Sequence, residues 1–140
     1  MVSWGAELKL REKIRDFDIN TINVNELTNV IEYLKYKYNC FIRYWKNYKS
    51  ISANIDVIEA FCGEELVLPI EIDKFISQLG VVTATHDGCG FVGVSRVQEA
   101  DKVEYILYTC SCHPWGDVTV YLMIPPSLRE SVIKFANVVY

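Results

Sequence analysis

Apolar residues recur at helical spacing near the start of the chain. Trp4, Leu8 and Ile14 predict a first helix that runs from the capping residue Ser3 to about Asp16. Further along, Asn23 is followed three residues later by a glutamate. This spacing resembles a capping box and predicts that a second helix begins there.

The second helical pattern is the strongest in the chain. Seven apolar residues follow one another at alternating spacings of four and three, and a strand could not keep them on one face. We therefore expect one long helix over Asn23–Lys49. The seven positions are Leu27, Ile31, Leu34, Tyr38, Phe41, Trp45 and Tyr48.

Two shorter helices are predicted after the long one. Isoleucines at helical spacing indicate a helix over Ala53–Cys62, which Gly63 would cap at its C-terminus. Leu66–Pro69 reads as an extended link. Glu71–Leu79 is predicted to be helical up to Gly80.

The pattern then changes to strands. Four runs rich in β-branched and aromatic residues are separated by turn residues, which favours a four-stranded antiparallel meander. Leu128, Val132, Phe135 and Val139 indicate a helix after it. The predicted fold class is α+β, a single domain in which N-terminal helices pack on the C-terminal meander and a C-terminal helix closes it. The runs are Val81–Thr85, Phe91–Val97, Val103–Cys110 and Val118–Ile124.

Composition narrows the choice of compartment. No apolar run approaches the roughly 18 residues of a membrane helix, so we expect no membrane partner. Charges throughout Met1–Arg15 argue against a secretory signal. Five cysteines form no even-numbered framework, and Cys40 and Cys62 lie in segments predicted to be helical. We therefore expect a reducing compartment and a cytoplasmic protein, although hyperthermophiles do form intracellular disulfides.

Five metal-binding side chains cluster at two predicted turns. His86 and Cys89 follow the first strand of the meander, and Cys110, Cys112 and His113 follow the third. Thiolate and imidazole are the ligands that zinc prefers, so the group could hold a zinc ion. A disulfide within the group, inert thiols on a buried face, or Cys–His catalysis by Cys89 and His86 are the alternatives.

A basic stretch lies within the predicted long helix. Lys35, Arg43, Lys46 and Lys49 would share about a third of its circumference, beside several aromatic residues. Such an arc could bind the phosphates and bases of a nucleic acid. A solvated helix face is the plainer alternative, and the net charge of −4 disfavours a dedicated nucleic-acid binder.

The aromatic end of the same helix predicts an interface. Tyr38, Phe41, Trp45 and Tyr48 would form an apolar patch of the kind that protein contacts bury. No phosphate loop, dinucleotide fingerprint or metalloprotease motif is present. We expect a non-enzymatic accessory or interaction protein, a homodimer through this helix, with another protein as a further partner. A nucleic-acid-binding module and a small enzyme or zinc-stabilised domain are the alternatives.

Overall fold

The computed structural model describes residues 4–16, 22–49, 54–63, 65–86, 92–109 and 116–139. Within these residues the α-helices are α1 (Trp4–Asp16), α2 (Val24–Glu32), α3 (Ile70–Leu79) and the single turn α4 (Arg129–Val132). A π-helical segment, Tyr33–Lys37, continues α2, and short 3-10 turns, Pro126–Leu128 and Ile133–Phe135, flank α4. No helix in the described part of the chain is long and apolar enough to cross a membrane.

Eight strands in the described residues form two sheets. The larger sheet has the order β4-β7-β2-β1-β8, and β8 runs parallel to β1. The smaller sheet is antiparallel and has the order β3-β6-β5. The strands are β1 (Phe41–Lys49), β2 (Asn54–Cys62), β3 (Glu65–Pro69), β4 (Gly80–His86), β5 (Val92–Glu99), β6 (Lys102–Thr109), β7 (Gly116–Ile124) and β8 (Asn137–Val139).

The fold is α+β, but the predicted meander is wrong. The four predicted strands exist as β4 to β7, yet β4 pairs with β7, and the β5–β6 hairpin belongs to the other sheet. Residues Val118–Ile124 of β7 are all buried, so the backbone groups along both edges of this strand need hydrogen-bond partners other than water. The strands β2 and β4 supply them. The β6 strand buries alternate residues only, which suits a sheet that is covered on one face.

The predicted long helix over Asn23–Lys49 is also wrong. Asn23 does cap a helix, because its side chain accepts hydrogen bonds from the backbone N–H groups of Asn25 and Glu26. The helical path ends near Tyr38, and Asn39 takes a left-handed conformation with φ of 52°. From Phe41 onward the aromatic residues form β1, where pairing with β2 outweighs the helical spacing.

Two further predicted helices are strands. Ala53–Cys62 was expected to be helical, but it contains β2, in which residues 55–60 are buried on both faces. A central strand of this kind shows no alternation of apolar and polar residues, so its sequence resembles a buried helix. The predicted C-terminal helix shortens to α4 with its 3-10 turns, because Asn137–Val139 pair with β1 instead.

The pairing of β1 with β2 also joins two cysteines. Phe41 lies opposite Phe61, so the next position outward places Cys40 beside Cys62. Their Cα atoms are 4.4 Å apart and the thiols form a disulfide bond. The sequence pattern does not predict this bond, because it places both cysteines in helices.

The two faces of the larger sheet follow from the strand register, because side chains alternate along each strand. Ile42, Ile58 and Leu122 lie on one face and belong to the core. The other face carries Trp45 and Tyr48, and α1 covers part of it: the Tyr48 hydroxyl lies beside the Glu7 carboxylate of α1. Burial and that carboxylate raise the pKa of Tyr48 to about 12. The rest of this second face, toward Phe41, carries exposed aromatic surface.

Candidate functional site

An aromatic surface with one arginine lies on the second face of the larger sheet, beyond α1. We call it the β1–β2 face and define it by Phe41, Arg43 and Trp45 of β1 and Glu59 and Phe61 of β2. Positions 41, 43 and 45 alternate onto one face of β1, and the register places Phe61 opposite Phe41 and Glu59 opposite Arg43. The side chain of Phe41 is 55% exposed.

The Arg43 guanidinium is fixed at the centre of the β1–β2 face. Glu59 is almost fully buried, and its Oε1 atom accepts hydrogen bonds from Arg43 Nε at 2.8 Å and from Trp45 Nε1 at 3.1 Å. An Arg43 Nη2–Oε1 contact of 2.6 Å completes the ion pair. The guanidinium carbon lies 4.8 Å from the centre of the Phe61 ring and 5.4 Å from that of Trp45.

These contacts give the β1–β2 face a definite chemical character. The carboxylate of Glu59 compensates the charge of Arg43, so the face is aromatic and electrically neutral. Phe41 packs against Phe61 with ring centres 6.5 Å apart, and both rings extend the apolar area. Because these side chains already hold one another in place, they would lose little conformational entropy when a partner binds to them. The arrangement presents a rigid aromatic surface whose one carboxylate is already engaged by Arg43 and Trp45.

The structure separates the four residues predicted to form an interface. Phe41 and Trp45 share the β1–β2 face, whereas Tyr48 is half-buried near α1. Tyr38 lies elsewhere: its hydroxyl donates to the carbonyl of Val67 and accepts a 3.1 Å hydrogen bond from the Val67 N–H. The four residues therefore do not form one patch, and a contact made by any of them stays a prediction.

The predicted basic arc does not form, because its helix is absent. Lys35 lies in the π-helical segment, and its Nζ donates to the Phe135 carbonyl at 3.0 Å. Arg43 pairs with Glu59, and Lys46 is half-buried at the irregularity in β1 between Trp45 and Tyr48. Lys49 ends β1, and its side chain lies outside the described residues. Nucleic-acid binding by these four residues stays a prediction, although the ion pair weakens its electrostatic basis.

The predicted zinc ligands fall almost wholly outside the described residues. This applies to Cys89, Cys110, Cys112 and His113, and to the side chain of His86. The backbone of His86 ends β4 and pairs with Gly116 at the start of β7. Elsewhere, in the described ranges, no group of three His, Cys, Asp or Glu side chains could hold a metal ion. The zinc site stays a prediction.

Sequence reasoning missed Glu59 and Phe61. Both lie in β2, which was predicted to be a helix, so their position opposite Arg43 and Phe41 could not be seen. The Arg43–Glu59 ion pair thus joins the basic stretch of β1 to an acidic residue of β2 within the fold.

Comparison with known proteins adds no family. No protein-family model matches the chain, and no curated protein and no solved structure is significantly similar to it.

Proposed function

We propose that the protein is a non-catalytic interaction protein that self-associates through the β1–β2 face. The observation that carries this proposal is the Arg43 guanidinium held by Glu59 between Trp45 and Phe61, with the exposed Phe41 ring beside it. Aromatic residues and arginine dominate the binding energy of protein interfaces, above all where they are rigid and apolar atoms surround them.

Charge favours a second copy of the chain as the partner. Each chain carries a net charge of −4, so most pairs of surfaces from two copies would repel one another. The β1–β2 face is an exception, because its one cation is neutralised by its own glutamate. In a two-fold symmetric contact the same patch meets itself, and a neutral apolar patch does so without bringing like charges together.

Sedimentation equilibrium tests this proposal. At about 100 µM protein, an association free energy of roughly −5.5 kcal/mol is enough to populate the dimer substantially. We expect the weight-average mass to rise with concentration from the chain mass of 16.1 kDa toward twice that value, and to lie clearly above the chain mass at this concentration. The mass should change little with added salt, because apolar contacts rather than exposed charges hold the two copies together.

Two variants make the test specific. Phe41→Glu places a charge in the proposed contact and should give a monomer with an unchanged circular dichroism spectrum. Tyr36→Glu is the matched control, since Tyr36 is 70% exposed but belongs to the π-helical segment and is not part of the β1–β2 face. A native protein that sediments as a monomer, or a dimer that survives Phe41→Glu, would refute the proposal.

The disulfide also bears on the cellular compartment of the proposed interaction protein. The Cys40–Cys62 bond argues against an ordinary reducing cytoplasm, where thiols are kept reduced. Intracellular proteins of hyperthermophiles are the exception, and a cytoplasmic location remains our proposal for that setting only.

A further inference from the structure

A cleft of about 450 Å³ lies where α1, the end of α3 and one edge strand of each sheet meet. Its volume falls within the range of small-molecule binding sites. The edge strands are β4 of the larger sheet and β5 of the smaller one, so the cleft opens between the two sheets. Its apolar walls are Ile76, Val81, Val82 and Val94.

Three cationic side chains line the same cleft. Lys9 and Lys13 are four residues apart on α1 and therefore lie on one side of the helix, and Arg96 faces them from β5. Two carboxylates partly offset this positive charge. Glu12 lines the cleft, and Asp73 lies behind Arg96 and pairs with it. The cleft thus keeps an excess of one positive charge in a chain whose net charge is −4.

A buried carboxylate fixes the orientation of Arg96. Asp73 is 1% exposed, and its Oδ2 atom accepts a 2.6 Å hydrogen bond from Arg96 Nη2. The Tyr105 hydroxyl donates to Oδ1 of the same carboxylate at 2.5 Å. The Arg96 side chain remains 43% exposed, and within the described residues no acceptor is found for its Nη1 group. Arg96 is therefore held in place with two N–H donors left for a ligand.

Lys13 is partly withdrawn from water at the same cleft. Its ammonium donates to the Ser77 carbonyl, and partial burial lowers its pKa against the opposing effect of Glu12. An ammonium has three donors, so two remain after this bond is made. An anion would restore part of the solvation that Lys13 has lost. Lys9 is exposed on the next turn of α1 and adds a second ammonium.

We propose that this cleft is a binding site for a small amphipathic organic anion. Lys9, Lys13 and Arg96 would hold a carboxylate or phosphate group, and the valine and isoleucine side chains would contact the apolar body of the ligand. The cleft shares no residue with the β1–β2 face. Ligand binding and self-association can therefore be tested, and can fail, separately.

Titration of the full chain with three probes tests the site. Hexanoate and hexyl phosphate have the same apolar body and different anionic groups, and hexanol is their uncharged counterpart. Amide chemical shifts of β4 and β5 should saturate with at least one anion at an apparent Kd of about 1 mM or tighter. Whichever anion binds more tightly identifies the anionic group. If neither anion saturates, or if hexanol binds as tightly as both, the proposal is wrong.

A pair of lysine variants ties binding to the cleft. Lys9→Gln removes an exposed cation from the lining and should weaken anion binding roughly tenfold, the typical effect of losing a hydrogen bond to a charged group. Lys74→Gln is the matched control, because Lys74 is equally exposed on α3 and does not line the cleft. If both variants weaken anion binding equally, the effect comes from the overall charge of the protein. The assignment of the binding site to this cleft would then be wrong.

Discussion

Asp56 shows how one buried side chain can join three segments of the chain. It is fully buried in β2 and accepts hydrogen bonds from the Tyr44 hydroxyl at 2.6 Å and from the Asn47 N–H at 2.8 Å. Arg129 reaches it from α4 and binds both carboxylate oxygens, at 2.7 and 2.9 Å. Asn47 takes a left-handed conformation with φ of 52°, so the same carboxylate also binds the irregular part of β1.

Replacement of Asp56 by Asn should destabilise the protein strongly. The change keeps the shape of the side chain but leaves the Arg129 guanidinium without its counter-charge. Loss of one partner of a buried ion pair costs about 3 kcal/mol or more. Urea denaturation at neutral pH measures this loss in the free energy of unfolding. Asp101→Asn, which changes an exposed carboxylate, serves as the control and should have little effect.

The same residue should control part of the acid sensitivity. Burial acts to raise the pKa of Asp56, but hydrogen bonds from Arg129, Tyr44 and the Asn47 N–H outweigh it, and the pKa is lower than in a free side chain. A pKa lowered by folding contributes stability above about pH 4, the value for an unfolded aspartate, and loses it as the pH falls through the folded value. The difference in unfolding free energy between the native protein and Asp56→Asn should therefore shrink below about pH 4. A difference that stays constant down to pH 2 would contradict this account.

At the scale of elements, β3 shows how an edge strand is protected by a side chain. This strand pairs with β6 alone among the described strands, so one of its edges has backbone groups without a strand partner. The Tyr38 hydroxyl satisfies both the N–H and the carbonyl of Val67 at that edge. Tyr33 adds a weaker hydrogen bond of 3.4 Å to the same carbonyl. Such protection prevents edge-to-edge pairing with other chains.

Removal of the Tyr38 hydroxyl should expose this edge. Tyr38→Phe keeps the ring and deletes both hydrogen bonds, so we expect a loss of about 2 kcal/mol in unfolding free energy. Hydrogen exchange at the Val67 amide should accelerate, because that N–H loses its acceptor. Tyr33→Phe is the matched control and should leave exchange at Val67 nearly unchanged. Equal exchange rates in the two variants would show that the Tyr38 hydroxyl does not protect β3.

The sequence predicts some elements well and others not at all. The helices α1 and α3 and the strands β4 to β7 follow from the period of their apolar residues. The region from Tyr33 to Cys62 fails, because the aromatic positions of β1 coincide with helical spacing and β2 is buried on both faces. Strand pairing failed for another reason: β4 and β7 pair although the β5–β6 hairpin of the other sheet lies between them in sequence, and local patterns carry no information about such contacts.

The residues of the candidate site also divide into those that the sequence predicts and those that it does not. The aromatic character of Phe41 and Trp45 predicts that they lie in a contact surface, and this stays a prediction. Glu59 and Phe61 were not predicted, because their role depends on the register between β1 and β2. The cleft between the sheets was invisible for the same reason, since Lys9 and Arg96 meet only through the tertiary fold.

At the scale of the whole molecule, the disulfide can be tested directly. Cys40 and Cys62 are 22 residues apart, and closing a loop of this length stabilises the folded state by about 3 kcal/mol. The double variant Cys40→Ala/Cys62→Ala should lose that amount in urea denaturation. A reducing agent should destabilise the native protein by a similar amount and leave the variant unaffected. If alkylation of the unreduced, unfolded protein labels all five cysteines, the bond is absent.

The interleaving of the two sheets has a consequence for how the chain reaches its native state. Strands of the larger sheet come from both halves of the described chain, and those of the smaller sheet lie between them in sequence. Arg43 pairs with Asn137, which lies 94 residues further along the chain. Contacts this distant close large loops before they yield any stabilisation, so the folding transition state should be reached slowly. Until β8 pairs with β1, one edge of this aromatic-rich strand has no partner. The risk of aggregation should be greatest during that interval.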